Sequence, residues 1–372
     1  MKIAHFSDTH LGYSAYRKVD ESLGINQREM DLYKAFERCV DGIIESDAEV
    51  VLHSGDLFDT VRPSNRAISF TLEQLIRLTK AGKEVVLIAG NHSAPKLRET
   101  GSVFRIFDHL EHVHCVYKET YEMIELDGLA VHAVPHARDE EMMAQLDLVK
   151  VDKGVDHNVL MLHAGIKGVN EYSNDEFNEQ LLPDSYLSQD MDYIALGHFH
   201  TMRMVKPNAY YSGSTERMSL SEAGCDKGWL LVDLESGERE FRKIPVRSMF
   251  DLRPINAKGM GQEELMTAIK NALDAVDIDG AIVRLNITNL PRPMHRSLDW
   301  QKIKDWASEA VQFIDNVGTL DDENEVQCGT SISALDQEFV SFLDKYPVEG
   351  VPKDDIRVKG LDYLLRGSDR CE

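Results

Sequence analysis

The chain has 372 residues, 42% hydrophobic and 28% charged, a globular balance with length for two or three domains. No stretch approaches the roughly 20 apolar residues of a membrane span. The five cysteines (Cys39, Cys115, Cys225, Cys328, Cys371) are scattered without C-x-x-C spacing, so neither a disulfide framework nor a cysteine zinc site organises the chain, and a net charge of −23 counts against a general nucleic-acid-binding surface.

The opening residues run straight into a strand-like segment with no basic leader or small-residue cleavage site, so a cytoplasmic protein is expected, nucleoid-associated in a prokaryote. From there to about residue 245, apolar runs alternate with helix-period segments, the pattern of an α/β sheet covered by helices. Ile3 to Phe6 reads as a buried strand. Met30, Phe36, Val40, Ile43 and Ile44 recur at helical spacing within 27–47, ahead of a strand over 49–53. Pro63 opens a second helix through Leu78, and a strand over 84–89 follows. Further strands read at 159–162, 193–196, 210–211 and 229–232.

After Ile244 the pattern changes to a smaller α/β unit: a strand over 250–255, a helix over 263–276, a strand over 281–287 and a helix over 300–313. The acidic run Asp321 to Glu325 reads as a linker. Beyond it, Ser333 caps a helix carrying Leu335, Phe339, Phe342, Leu343 and Tyr346, and Ile356, Leu361, Leu364 and Leu365 mark a second helix ended by Gly367.

Five of the apolar strands end in metal-ligand residue types: Asp8 and His10, Asp56, Asn91 and His92, His163, and His198 and His200. Ligands of open α/β sheets bind beyond the carboxyl ends of strands, so these ends can converge although they span nearly two hundred residues. Mixed carboxylate, amide and imidazole donors suit manganese, iron or zinc, and a two-ion site needs about seven of them with one carboxylate shared. In Asp8-Thr9-His10, and again in His198-Phe199-His200, an extended strand end points both ligands to one side. Gly55, Gly90 and Gly197 stand where strands must turn sharply beside the ions. A single D-x-H or H-x-H means little, since a lone histidine is more often a hydrogen-bonded core residue. Five blocks in order, each after a strand, are a different matter.

Asp8-x-His10, Gly55-Asp56-x-x-Asp59, Gly90-Asn91-His92, His163 and Gly197-His198-x-His200 resemble the complete signature of the calcineurin-like metallophosphoesterases. Within that superfamily, Phe6-Ser-Asp-Thr-His-Leu-Gly12, His53-Ser-Gly-Asp-Leu-Phe58, Arg62-Pro-Ser-Asn-Arg-Ala67 and Tyr211-Ser-Gly-Ser-Thr-Glu216 resemble the meiotic-recombination-eleven family of DNA double-strand-break repair nucleases, in its short archaeal form.

The resemblance implies a calcineurin-like two-sheet sandwich flanked by helices over 1–245, a DNA-contacting α/β cap over 246–320, an acidic linker over 321–331 and a helical tail over 332–372. It implies two divalent ions, Mn2+ in this family, with Asp56 bridging them, Asp8, His10 and His200 completing one position, and Asn91, His163 and His198 the other. His92 then stands beside the scissile phosphate as the catalytic residue. DNA ends are the implied substrate, with single-strand endonuclease and 3'-5' duplex exonuclease activity. A homodimer and an SMC-like ATPase docked on the tail are the implied partners.

The ions would place about four positive charges in the pocket, so local charge can outweigh an acidic surface. Ser93 departs from the acidic residue that many relatives carry after the Asn-His pair, and Asp59 stands where others have histidine or asparagine. Asp59, His53, Arg62 and Arg217 are expected either behind the ligands or against substrate. Two other functions fit the same motifs: a phosphatase or cyclic-nucleotide phosphodiesterase, and a DNA-end tether whose ions are vestigial.

Overall fold

In a computed structural model of the chain, residues 1–20, 23–93, 101–169, 181–187 and 190–320 are described, with positions 339, 343, 353, 354, 356, 357 and 359 beyond them. The chain runs through β1 (Lys2–Phe6), α1 (Gln27–Glu45), β2 (Val50–His53), α2 (Asn65–Lys80), β3 (Glu84–Ile88), β4 (Val113–Val116), β5 (Glu122–Leu126) and β6 (Leu129–Val134). It continues with α3 (Asp139–Leu146), β7 (His157–His163), β8 (Gly165–Ile166), β9 (Leu181–Leu182), β10 (Tyr193–Gly197), β11 (Arg203–Lys206), β12 (Ala209–Tyr211), β13 (Gly228–Asp233) and β14 (Arg239–Lys243). Then come β15 (Met249–Asp251), β16 (Ile255–Asn256), α4 (Gln262–Asp274), β17 (Ile282–Pro291), α5 (Arg292–Ser297), α6 (Trp300–Trp306) and β18 (Gln312–Leu320).

Two six-stranded sheets carry the fold, in the orders β14-β13-β1-β2-β3-β4 and β11-β12-β10-β7-β6-β5. In the first, β1 to β4 run parallel, Ile3 opposite Val50 and Val50 opposite Glu84. In the second, β6, β7, β10 and β12 run parallel. Alternation along the strands assigns the layers: Ile3, Leu52, Val86 and Ile88 meet Val131, Val159, Met161 and Tyr193 between the sheets. Their sequence neighbours Ala4, Val51, Val85 and Leu87 face the helices instead, against Phe36, Val40 and Ile43 of α1 and Leu75 and Leu78 of α2. On the other side Leu160, Leu162, Ile194 and Leu196 pack on Met142 and Leu146 of α3. The result is the expected two-sheet sandwich between helical layers.

Both long helices start at side-chain caps. The Asn26 side chain accepts from the Arg28 and Glu29 amides, and Ser64 accepts from the Ala67 amide. Ser64 is thus the cap, and Pro63 lies just outside α2.

The smaller unit differs from its expected form in two places. The single strand expected over 250–255 is split into β15 and β16, both parallel to β17, with Pro254 in the break, where it has no N–H to give a ladder. The helix expected over 300–313 stops at Trp306, and Phe313 lies in β18, which pairs with β17. Val311, Ile314 and Val317 favour extended backbone, and partner-strand pairing decides the outcome.

Contacts divide the chain into one compact unit of Met1–Thr288 with Leu298–Val317 and a second of Asn289–Ser297 with Gly318–Glu372. In the second, Phe339, Leu343 and Ile356 have helical backbone and Leu343 is buried. The acidic linker and the other residues of the expected tail helices, Ser333, Leu335, Phe342, Tyr346, Leu361, Leu364, Leu365 and Gly367, lie outside the described residues. Among the described residues no helix is long and apolar enough to cross a membrane.

Candidate metal centre

The carboxyl ends of β1, β2 and β3 in one sheet and of β7 and β10 in the other meet at one place. Ligand-type atoms of Asp8, His10 and His200 lie within 4.8 Å of one another, as do those of Asp8, Asp56 and His163. The His163 Nε2 is 2.8 Å from Asn91 Oδ1, which is 3.3 Å from His198 Nδ1. All seven expected ligands are thereby brought together, and Asp56 touches both halves, 3.2 Å from His163 Nε2 and 3.9 Å from His10 Nε2.

The local backbone is not the extended one that the alternation suggested. Asp8 (φ 52°), His10 (φ 43°), Asp56 (φ 52°) and His198 (φ 104°) all have positive φ, an uncommon and costly conformation outside glycine. Each loop is held by another. The His198 amide donates to both Asp8 carboxylate oxygens (3.0 and 3.1 Å), the His92 amide to Asp56 Oδ1 (3.0 Å), and the Asp8 and His10 amides to the Gly55 and Asp56 carbonyls. His198 and His200 do not share a side: His198 meets Asn91, whereas His200 Nε2 is 3.2 Å from His10 Nε2. The glycines serve a different purpose as well. A Cβ on Gly55 would fall on the His163 ring, and one on Gly197 on the Ser54 carbonyl, so they make room for ligands and backbone rather than for ions.

The donor set fits divalent cations. Its seven side chains include two buried carboxylates and no permanent cation. His163 Nδ1 donates to the Ser54 carbonyl (2.8 Å), so the neutral ring points the lone pair of Nε2 at an Asp56 oxygen. Such a contact needs a positive charge between its atoms. Protons serve that end when no metal is bound: burial would lower the His163 pKa, but Asp56 and Asp8 push it up to about 9. Burial likewise opposes the charge on Asp56, yet His163 and then His10 hold its carboxyl well below the usual range. Nitrogen and oxygen donors in this mixture suit manganese, iron or zinc.

His92 stands at the edge of the group, its ring 4.8 Å from the His10 ring. Its Nδ1 donates to the Asp59 carbonyl (2.8 Å), which puts the proton on Nδ1 and the lone pair on Nε2. A backbone carbonyl therefore does what an acidic residue at position 93 would do, and Ser93 is buried. The Asp59 carboxylate lies 3.5 Å from His10 Nδ1, behind that ring. His53 is fully buried, its Nε2 3.1 Å from the Thr9 hydroxyl. Arg62 is exposed. Arg217 spends its guanidinium on the Cys225 and Arg247 carbonyls, tying the 216–225 loop together.

Three neighbours were not foreseen. His136, just after β6, brings its ring to 6.4 Å from that of His163. The signal was there, in the apolar run Leu129–Val134 ahead of it. Glu222 Oε1 accepts from His200 Nδ1 (3.3 Å), and the Lys227 ammonium bonds Glu222 and the His200 carbonyl. Neither follows a strand, so the strand-end pattern could not point to them.

The family model described as calcineurin-like phosphoesterase matches residues 1–202. The chain belongs to the calcineurin-like phosphoesterase family. Among curated relatives, this phosphoesterase is 30% identical to the DNA double-strand break repair protein Mre11 of Thermoplasma acidophilum, over 66% of the chain and 65% of that protein. It is equally identical to the Mre11 proteins of Methanococcus maripaludis (66% of each) and Methanocaldococcus jannaschii (66% of the chain, 65% of that protein). The matches span just under two thirds of those relatives' length. The matched residues include all seven donors, which the two sheets carry at one edge.

Proposed function

We propose that this phosphoesterase is a manganese-dependent DNA nuclease that processes ends in double-strand-break repair. The observation that carries the reading is the convergence of seven donors around Asp8, which belongs to both the Asp8–His10–His200 and the Asp8–Asp56–His163 groups, and Asp56, 3.2 Å from His163 and 3.9 Å from His10, with His92 beside them in a further group with His10 and Asp59. In this reading Asp8, His10 and His200 hold one ion, Asn91, His163 and His198 the other, and Asp56 bridges. Bound divalent ions supply Lewis acidity and charge neutralisation for in-line attack on a phosphodiester.

The protein's own part is positional. Asp59 keeps the proton on His92 Nδ1, so His92 Nε2 can carry a second proton to the leaving oxygen or donate to a phosphoryl oxygen as charge develops. Loop-to-loop hydrogen bonds hold four of the seven donors at positive φ and so fix them before substrate arrives.

Three relatives named as DNA double-strand break repair proteins support DNA as the substrate. On that basis we assign the chain single-strand endonuclease and 3'-5' duplex exonuclease activity, a homodimeric state, and an SMC-like ATPase partner that docks on 332–372. Residues 246–320 act as the DNA-contacting cap over the 1–245 nuclease domain, joined to the tail by the 321–331 linker.

The deciding experiment digests end-labelled duplex and hairpin DNA with Mn2+, beside phosphopeptides and cyclic nucleotides as competitors. Preference for the small substrates would replace the nuclease with a phosphatase or cyclic-nucleotide phosphodiesterase. DNA bridging by metal-free protein with no cleavage would favour the tether. Deleting 328–372 should spare single-strand cleavage and lose the ATPase, and retained co-purification refutes the docking assignment.

A further inference from the structure

Glu222 and Lys227 are buried, 6% and 1% exposed, and neither belongs to the seven donors. A buried ammonium must place all three of its protons. Lys227 does so on the His200 carbonyl (2.6 Å), the Ser214 hydroxyl (2.7 Å) and the Glu222 carboxylate. The other Glu222 oxygen accepts from His200 Nδ1 at 3.3 Å. One residue pair thus grips His200 at both ends, backbone carbonyl and ring, while the Ser214 amide adds a second bond to the same carbonyl (3.1 Å). With Nδ1 protonated against a carboxylate, the lone pair on His200 Nε2 can only point towards His10 Nε2, 3.2 Å away.

The other half of the centre is built differently. His163 is backed by the neutral Ser54 carbonyl, and Asn91 contributes an uncharged amide. His10, beside His200, has the Asp59 carboxylate 3.5 Å from its Nδ1, while Asp8 lies within reach of both halves and does not distinguish them. A carboxylate behind an imidazole makes it a more basic ligand and fixes its tautomer; removing such a partner typically costs about tenfold to a hundredfold in metal affinity.

Resting on the two-metal reading above, we propose that Glu222 and Lys227 are a positioning pair that locks His200 and makes the position formed by Asp8, His10 and His200 the tighter of two cation positions. Glu222 also accepts from the Met218 and Ser219 amides (3.2 and 3.3 Å), so a role confined to capping that turn is the competing explanation. The two roles separate in metal binding.

The test titrates the full chain with Mn2+, following free Mn2+ by electron paramagnetic resonance, beside thermal melts of the metal-free protein. Wild type should bind two ions in two resolved steps, with the tight step absent in His200→Ala and the weak one absent in Asn91→Ala. Glu222→Gln should weaken the tight step about tenfold to a hundredfold and leave the weak one in place. The double variant E222L/K227M removes both charges together, which protects the fold, and should show the same selective loss. Equal affinity of the two wild-type positions overturns the proposal. So does an unchanged tight step in folded E222Q and E222L/K227M, or failure of both to fold, which leaves Glu222 a turn cap. A wild type that takes up no Mn2+ overturns the two-metal reading itself, and the two failures are thereby distinct.

Discussion

Two buried polar clusters in this protein have opposite charge balances. In the first, Arg28, Asp31, Glu216 and Arg247 pair acid with base: Arg28 bonds Asp31 at 2.8 Å, Nε and Nη2 of Arg247 each reach Asp31 at 2.6 Å, and Glu216 lies 3.8 Å from Arg28. In the second, the metal centre, carboxylates and imidazole lone pairs face one another with no lysine or arginine among the seven donors. The paired cluster balances its own charge, two acids against two bases, and ties α1 to the segments after β12 and β14. The unpaired one needs added positive charge, bound protons or a cation, to balance its carboxylates. Burial alone therefore says little about function, and the sign of the uncompensated charge says much more.

The contrast can be broken or sharpened by experiment. The largest effect is expected in the unpaired cluster. Asp56→Asn should lose manganese and all measurable hydrolysis, whereas His92→Ala should keep two ions and lose about 10²- to 10⁴-fold in turnover, as single-turnover rates and metal analysis will show. Full activity in Asp56→Asn would remove the basis for a bridging carboxylate. In the paired cluster, Arg247→Met removes one of the two cations on the buried Asp31 and leaves Arg28, and should cost about 1.5 to 3 kcal/mol in urea unfolding, with manganese affinity unchanged. A drop in manganese affinity there would show that the clusters are coupled.

Manganese at a hundred times its dissociation constant should stabilise wild type by about 2.7 kcal/mol per site and Arg247→Met equally, but not Asp56→Asn, which differential scanning calorimetry can compare. The smallest effect concerns pH. Burial holds His5 neutral, its pKa lowered to about 3, while the unfolded chain takes up a proton below about 6.5. Stability is therefore full above 6.5 and falls as pH drops through 6.5 towards 3, by about 1.4 kcal/mol per unit for this one group. Urea melts at pH 7.5 and 5.0 should show a smaller difference in His5→Gln than in wild type, and an identical difference would assign the slope to other groups.

How much of this was legible in the sequence depended on how local each feature is. The strand ends bearing Asp8, Asp56, Asn91, His163 and His198 could be read because an apolar run, a turn and a donor residue are neighbours in the chain. Asp8 and His10 do turn their ligand atoms to one place, but not from an extended strand end, because loop-to-loop hydrogen bonds, the Asp8 and His10 amides on the β2 loop, hold both residues at positive φ. The helix expected through Phe313 failed for a similar reason, since pairing with β17 outweighs a weak helical period.

By itself, the sequence determined the chemistry: which residue types end the strands, and so which kind of ligand such an edge can hold. Only the tertiary structure decided the partnerships, because a side-chain contact across nearly two hundred residues leaves no local trace. That His198 and His200 serve different halves, that Asp59 lends His92 a carbonyl, that Arg217 is tied to the backbone, and that Glu222 and Lys227 grip His200 all depend on how two sheets stack, and stacking is set by the whole core at once.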